Sequence, residues 1–198
     1  MSRNSLLLER AASEHTSPPL LEAVPRPGEY LGLILRLFLS HSVVAVVDAG
    51  PGPRGREACR GIAAELAASS KRVVIVQVDA LLRMNQFPDA TASVPGHVPN
   101  VSLWPPTSGA TVEFFQSPAP VPSAGNWLGS LRGEFDSVLL DCPSVETAPA
   151  TATIAAMADA AVLVVEAGRT ARQQIQRDQH ALQLRGVKLA GCILMRRR

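Results

Sequence analysis

The chain has 198 residues, 46% of them hydrophobic and 18% charged, with 19 Lys and Arg against 17 Asp and Glu for a net charge of +2. That is enough chain for one folded domain with its own core, too apolar for a disordered protein and too nearly neutral for the basic field of a nucleic-acid binder. The three cysteines, Cys59, Cys142 and Cys192, are odd in number and far apart, which argues against a disulfide framework or a zinc site and fits a reducing compartment.

Residues 1–28 mix Ser, Glu, His and Pro without a period, and Pro18, Pro19, Pro25 and Pro27 break any helix, so a loose N-terminal arm is expected. The opening MSRNSLLLER has only three consecutive leucines, no signal peptide, and no run of about 18 apolar residues marks a membrane span. Residues 29–39, EYLGLILRLFL, read as a helix too apolar for an ordinary surface position, either core-packed or an interface helix. Strands are predicted at 42–47, 72–78, 137–140, 161–165 and 188–194, short Val/Leu/Ile runs of the kind buried on both faces. Helical patterns at 57–68, 147–158 and 170–184 lie between them, with Pro149 near one start and Gly186 at one end, where a left-handed cap is expected.

Strand and helix in alternation predict a three-layer α/β domain with a mainly parallel sheet and right-handed crossovers, spanning 29–198. Eight prolines between Pro88 and Pro122 interrupt that rhythm, so 88–125 is read as a surface excursion with one short strand at 101–104. His97 and His180 have no companion at metal-ligand spacing, and no metal site is expected. The terminal Arg196, Arg197 and Arg198 read as a solvated end, with acidic lipid or a partner as the alternative.

The chemistry concentrates at the first strand-loop-helix, VVAVVDAGPGPRGREACRGIAAELAA. Its loop GPGPRGRE has the phosphate-binding frame GxxxxGK[ST], with Gly50, Gly52 and Gly55 in the loop, Arg56 in the lysine position and Glu57 in the Ser/Thr position. In such a loop, amides wrap a phosphate, the lysine neutralises its oxygens and the hydroxyl holds magnesium. Arg56 keeps the charge, but its planar guanidinium is bulkier than an ammonium. Glu57 would lie beside the amides a phosphate uses, and two negative groups about 4 Å apart repel by roughly 4 kcal/mol at an effective dielectric near 20. The expectation is that Glu57 replaces the phosphate, or that the stretch is a rigid turn with no ligand; Pro51 and Pro53 also remove two N–H donors. Downstream, VLLDCPS ends an apolar strand in Asp141, the place of a magnesium-holding aspartate, and VVIVQVDALLR reads as a strand ending in Asp79.

These stretches, with FDSVLLDCPS and ADAAVLVVEAGRT followed by a basic helix, resemble the bacterial tyrosine kinases of capsule and exopolysaccharide assembly, themselves similar to septum-site and plasmid-partitioning ATPases. The likeness covers roughly 29–196 and implies a P-loop NTPase-like fold. It maps the phosphate-binding lysine and hydroxyl onto Arg56 and Glu57, and the paired aspartates of the second strand onto Gln77 and Asp79. Asp141 matches the strand-end aspartate, and an adenine-flanking Asn-Arg pair falls on Met195 and Arg196. The tyrosine-rich tail such kinases use as acceptor has no counterpart through Arg198; the one tyrosine is Tyr30.

The resemblance therefore implies a degenerate kinase-like protein with no catalytic residue, whose pocket remnants are Gly50, Gly52, Gly55, Arg56, Glu57, Asp79, Asp141 and Arg196. No cofactor is expected. The implied role is a cytoplasmic binding or regulatory subunit in exopolysaccharide biosynthesis or export. It would be held at the inner face of the membrane by the cytoplasmic part of a chain-length or co-polymerase protein, with homo- or hetero-oligomers left open. The competing expectation is an active ATPase or tyrosine autokinase that binds ATP and Mg2+ through Arg56, Asp79 and Asp141. A partitioning-type ATPase is a third option, weakened because Pro51 stands where that type has a lysine.

Overall fold

The computed structural model describes residues 30–50, 52, 54–83, 94–95, 101–104 and 125–196. The predicted N-terminal arm, and most of the proline-rich excursion, lie outside these residues. In chain order the elements are α1 (Leu31–Leu37), β1 (Val43–Asp48), α2 (Arg54–Ala68), β2 (Val73–Gln77), α3 (Val78–Leu81), β3 (Val94–Pro95), β4 (Val101–Trp104), α4 (Gly125–Glu134), β5 (Ser137–Cys142), α5 (Ala150–Ala155), β6 (Ala160–Glu166), α6 (Arg172–Leu184) and β7 (Leu189–Met195). They form one seven-stranded sheet in the order β3-β4-β2-β5-β1-β6-β7, parallel throughout except where β3 runs antiparallel to β4.

The central strands are buried along their whole length, β1, β5 and β6 at every residue, because helices cover both faces. Side chains alternate between two cores. Val43, Ala45 and Val47 join Trp127, Leu128 and Leu131 of α4, Ile154 of α5 and Leu182 of α6. Val44 and Val46 join Ile62 and Leu66 of α2 and Tyr30, Leu37 and Phe38 at α1. Each fully buried Ile or Leu contributes about 1.5–3 kcal/mol of transfer free energy. Within the apolar stretch at 29–39, Tyr30, Leu37 and Phe38 are buried in this core, while Leu39 stays 79% exposed.

Three local features differ from the pattern expected from sequence. α4 was not predicted: Gly125, Gly129 and Gly133 lower its intrinsic propensity, and the burial of Trp127, Leu128 and Leu131 overrides that. β2 stops at Gln77, so Asp79 lies in the first turn of the short helix α3 and does not end a strand. β7 is covered poorly, with Ala190, Gly191, Cys192 and Leu194 exposed. The predicted cap at Gly186 is present at φ +74°.

The N-terminal end of the sheet is fastened by one carboxylate. Asp159 accepts the N–H groups of Ser42 (3.0 Å) and Val43 (2.9 Å), the Ser42 hydroxyl (3.3 Å) and Arg132 Nη2 (2.7 Å). These donors, chiefly Arg132 once the opposing cost of burial is met, bring its pKa down to about 2. Of the cysteines, Cys59 and Cys142 are buried and Cys192 is exposed.

Candidate functional site

At the opposite, C-terminal end of the strands, β1 delivers Asp48 into the glycine loop, β5 delivers Asp141, and α3 delivers Asp79. Parallel pairing sets Asp141 beside Val46 of β1 and Gln77 of β2, at the middle of the sheet. Ligands of open α/β sheets bind in such crevices. A cleft of about 280 Å³ opens here, bordered by Asp48, Gly50, Gly52, Arg56, Asp79, Asp141 and the Pro143–Ser144–Thr147 turn. That turn is held by the Ser144 hydroxyl, 2.8 Å from Thr147 Oγ1 and accepting the Thr147 N–H at 3.2 Å.

Arg56 crosses the cleft. Its Nε donates to Asp141 Oδ2 at 3.2 Å, and Nη2 lies 3.4 Å from each Asp79 oxygen. Burial alone would disfavour its charge, but Asp141 and Asp79 outweigh that and hold the guanidinium above its ordinary value. Asp141 is pushed up by burial and drawn back by Arg56, with a net rise. The guanidinium in the lysine position thus lies between the Asp79 and Asp141 carboxylates and offsets part of their charge.

The Gly55 amide has an internal carboxyl partner, Asp48. Gly55 N–H donates to Asp48 Oδ1 at 2.6 Å. A Cβ at position 55 would come within 3.1 Å of that carboxylate, so the motif glycine gives the internal side chain its close approach. Burial drives the Asp48 pKa up to about 7, with Asp141 adding to the rise and the Gly55 N–H and Arg56 opposing it. Glu57, expected to occupy the phosphate seat, instead accepts Arg54 Nη1 at 2.8 Å. Its reason is proximity: Arg54 is one helical turn back at i−3 and also reaches Glu166 of β6 at 3.0 Å. Arg54, chiefly by that hydrogen bond, keeps the Glu166 carboxyl below its ordinary range.

Of the residues singled out from sequence, Gly50, Gly52, Arg56, Asp79 and Asp141 border this one cleft, and Gly55 backs it through Asp48. Glu57 and Arg196 do not border it; Arg196 is exposed just after β7. Asp48, Arg54 and Glu166 were missed. The aspartate of VVDAG at the end of an apolar strand was the available signal for Asp48, while the Arg54–Glu166 pair, 112 residues apart, had none. Among the described residues no three His, Cys, Asp or Glu side chains converge as a metal-binding set.

The architecture is that of solved kinase domains. The kinase domain of VpsO is similar over 100% of both chains, with a TM-score of 0.65 and 14% identity. The BceF tyrosine kinase domain matches with a TM-score of 0.57 and 23% identity, over 79% of this chain and 69% of that one. Cobyrinic acid a,c-diamide synthase from Mycobacterium smegmatis, solved with an ATP analog and magnesium, matches at 0.55 and 17% identity, over 78% of this chain and 72% of that one. At these identities the likeness establishes the fold, a P-loop NTPase-like α/β domain, and nothing finer. No protein-family model matches the chain, nor does any curated protein sequence.

Proposed function

We propose that this protein is a catalytically degenerate relative of the capsule and exopolysaccharide tyrosine kinases, acting as a cytoplasmic binding or regulatory subunit in exopolysaccharide biosynthesis or export. Its partner in this reading is the cytoplasmic part of an inner-membrane chain-length or co-polymerase protein. Support for the pathway comes from the fold shared with the VpsO, BceF and Escherichia coli ETK kinase domains. Among the described residues no helix is long and apolar enough to cross a membrane.

The observation that carries the loss of catalysis is Arg56 lying across Asp141 and Asp79. In this reading three features disfavour a magnesium-bound triphosphate. The Gly55 amide is committed to Asp48, the loop's cation is committed to the two carboxylates, and the position of the magnesium-holding hydroxyl is Glu57. At an effective dielectric near 20, one carboxylate about 4 Å from a phosphate oxygen costs roughly 4 kcal/mol, about half of a micromolar binding energy.

Equilibrium binding of labelled ATP with magnesium to the full chain tests this. No saturable binding is expected; micromolar affinity that disappears in Asp141→Asn would overturn the reading. The restoring change Arg56→Lys with Glu57→Ser is expected to gain affinity only when Asp48→Ser is added. The second reading, an active ATPase or autokinase, is favoured by Asp79, Asp141, Ser144 and Thr147 bordering one open cleft. The same titration decides between them.

A further inference from the structure

The last thirty described residues, 167–196, form α6 and the edge strand β7 and differ in charge from the rest of the chain. They hold six Arg and Lys against a single carboxylate, Asp178, which is buried at 2% exposure. Arg169 is paired with Glu166, but Arg172, Arg177, Arg185, Lys188 and Arg196 are exposed and form no ion pair among the described residues. They run along α6 and mark both ends of β7.

β7 is the last strand of the sheet, and no strand covers its outer side among the described residues. Met195 gives its carbonyl to Ala167 N–H at 2.8 Å, toward β6. By strand alternation the main-chain groups of Cys192 and Leu194 face the opposite way, to the open edge. Edge strands are protected by shortness, by Lys or Pro, or by a bulge, and of these β7 has the bulge alone, near its start. β7 runs seven residues, LAGCILM, without a charge or a proline, interrupted by a bulge at Ala190–Gly191, and Leu194 is 65% exposed.

We propose that this edge docks an extended acidic segment of a partner protein, which adds beside β7 as an eighth strand while its carboxylates meet the basic residues of α6 and the strand ends. Edge main-chain donors and acceptors are satisfied by another strand and not by lipid, which disfavours a membrane as the occupant. Residues 167–196 contain no Phe, Tyr or Trp and a single His180, too few stacking surfaces for a strand of bases, which disfavours single-stranded nucleic acid. A second copy fits poorly as well. Antiparallel pairing about Cys192 would set Lys188 against Arg196 of the partner subunit, like charge on like charge.

The inference deepens the binding-subunit reading by stating the partner's chemistry. Its test does not involve the nucleotide cleft, so the two fail separately. The probe is a fluorescein-labelled synthetic peptide of alternating Glu and Val, titrated into the full chain at low salt. Saturable binding is expected, weakened about tenfold by Arg177→Glu with Arg185→Glu and lost in Leu194→Pro, which deletes an outward N–H. Amide hydrogen exchange at Cys192 and Leu194 should slow in the complex, a change that charge attraction alone would not produce. Four outcomes would each overturn the proposal: equal binding of a Lys–Val peptide, no saturable binding, unchanged exchange at those amides, or tighter capture by phosphatidylglycerol vesicles than by the peptide. A stable dimer in sedimentation that excludes the peptide would assign the edge to a second copy instead.

Discussion

The two ends of the parallel sheet treat their aspartates in opposite ways. At the N-terminal end Asp159 collects two backbone N–H groups, a hydroxyl and Arg132, and its pKa falls to about 2. At the C-terminal end Asp48, Asp141 and Asp79 crowd around one half-exposed arginine, and Asp48 rises to about 7. The first arrangement has more donors than charge and serves stability. The second has more charge than donors, so burial there works against ionisation instead of being offset by hydrogen bonds.

The comparison can be broken in three places. The largest effect is expected from Asp159→Ala, which strands the Ser42 and Val43 amides and Arg132. Urea denaturation should show a loss of about 3 kcal/mol, and thermal melting a drop of roughly 6–12 °C. Because the folded pKa of Asp159 lies below the unfolded value, this contribution is present above pH about 4 and disappears as pH falls through about 2. A loss below 1 kcal/mol would mean that the N-terminal end is not fastened as described.

Asp48 should behave with the opposite sign. The folded chain holds its proton more tightly than the unfolded one, about 7 against 3.8, so the native state binds more protons between those values. Stability therefore declines as pH climbs from about 4 to 7 and levels off above, with Asp141 acting in the same direction. Asp48→Asn should remove most of that slope, stabilising the protein at pH 8 by about 2 kcal/mol more than at pH 5. An unchanged slope in Asp48→Asn would show that the carboxylates at this end are not under strain.

The smallest of the three effects sharpens the contact between loop and carboxylate. Gly55→Ala should cost about 1–2 kcal/mol, since the added methyl meets Asp48 at 3.1 Å. In a double-mutant cycle with Asp48→Ala most of that cost should vanish. An additive cycle would assign the cost to helix entry and not to the carboxylate.

Much of the fold was legible because buried parallel strands leave short Val-rich runs, and all six predicted strands occur within one or two residues of their expected limits. Helix α4 was hidden because its glycines mask a contact that only tertiary packing supplies, and the β7 edge because exposure is invisible to a hydrophobic run. For the site, the glycine frame and Asp141 identified the right crevice, since spacing along the chain reports loop geometry. Spacing did not reveal which anion would fill the loop. Adjacency along the chain points to Glu57, whereas Asp48, seven residues before Gly55, takes the amide because the strand aims it there. Arg56 bridging Asp79 and Asp141 joins residues 23 and 85 apart and could not be read from either position alone.

The burial of two cysteines has a practical consequence. Cys59 and Cys142 lie wholly inside, with burial pushing both thiols well above their ordinary range, so neither forms a thiolate near neutral pH. Cys192 alone faces solvent, on the open margin of the sheet. The unmodified sequence thus offers a single addressable thiol, and a maleimide dye or spin label placed there reports on whatever approaches β7 without any engineered cysteine.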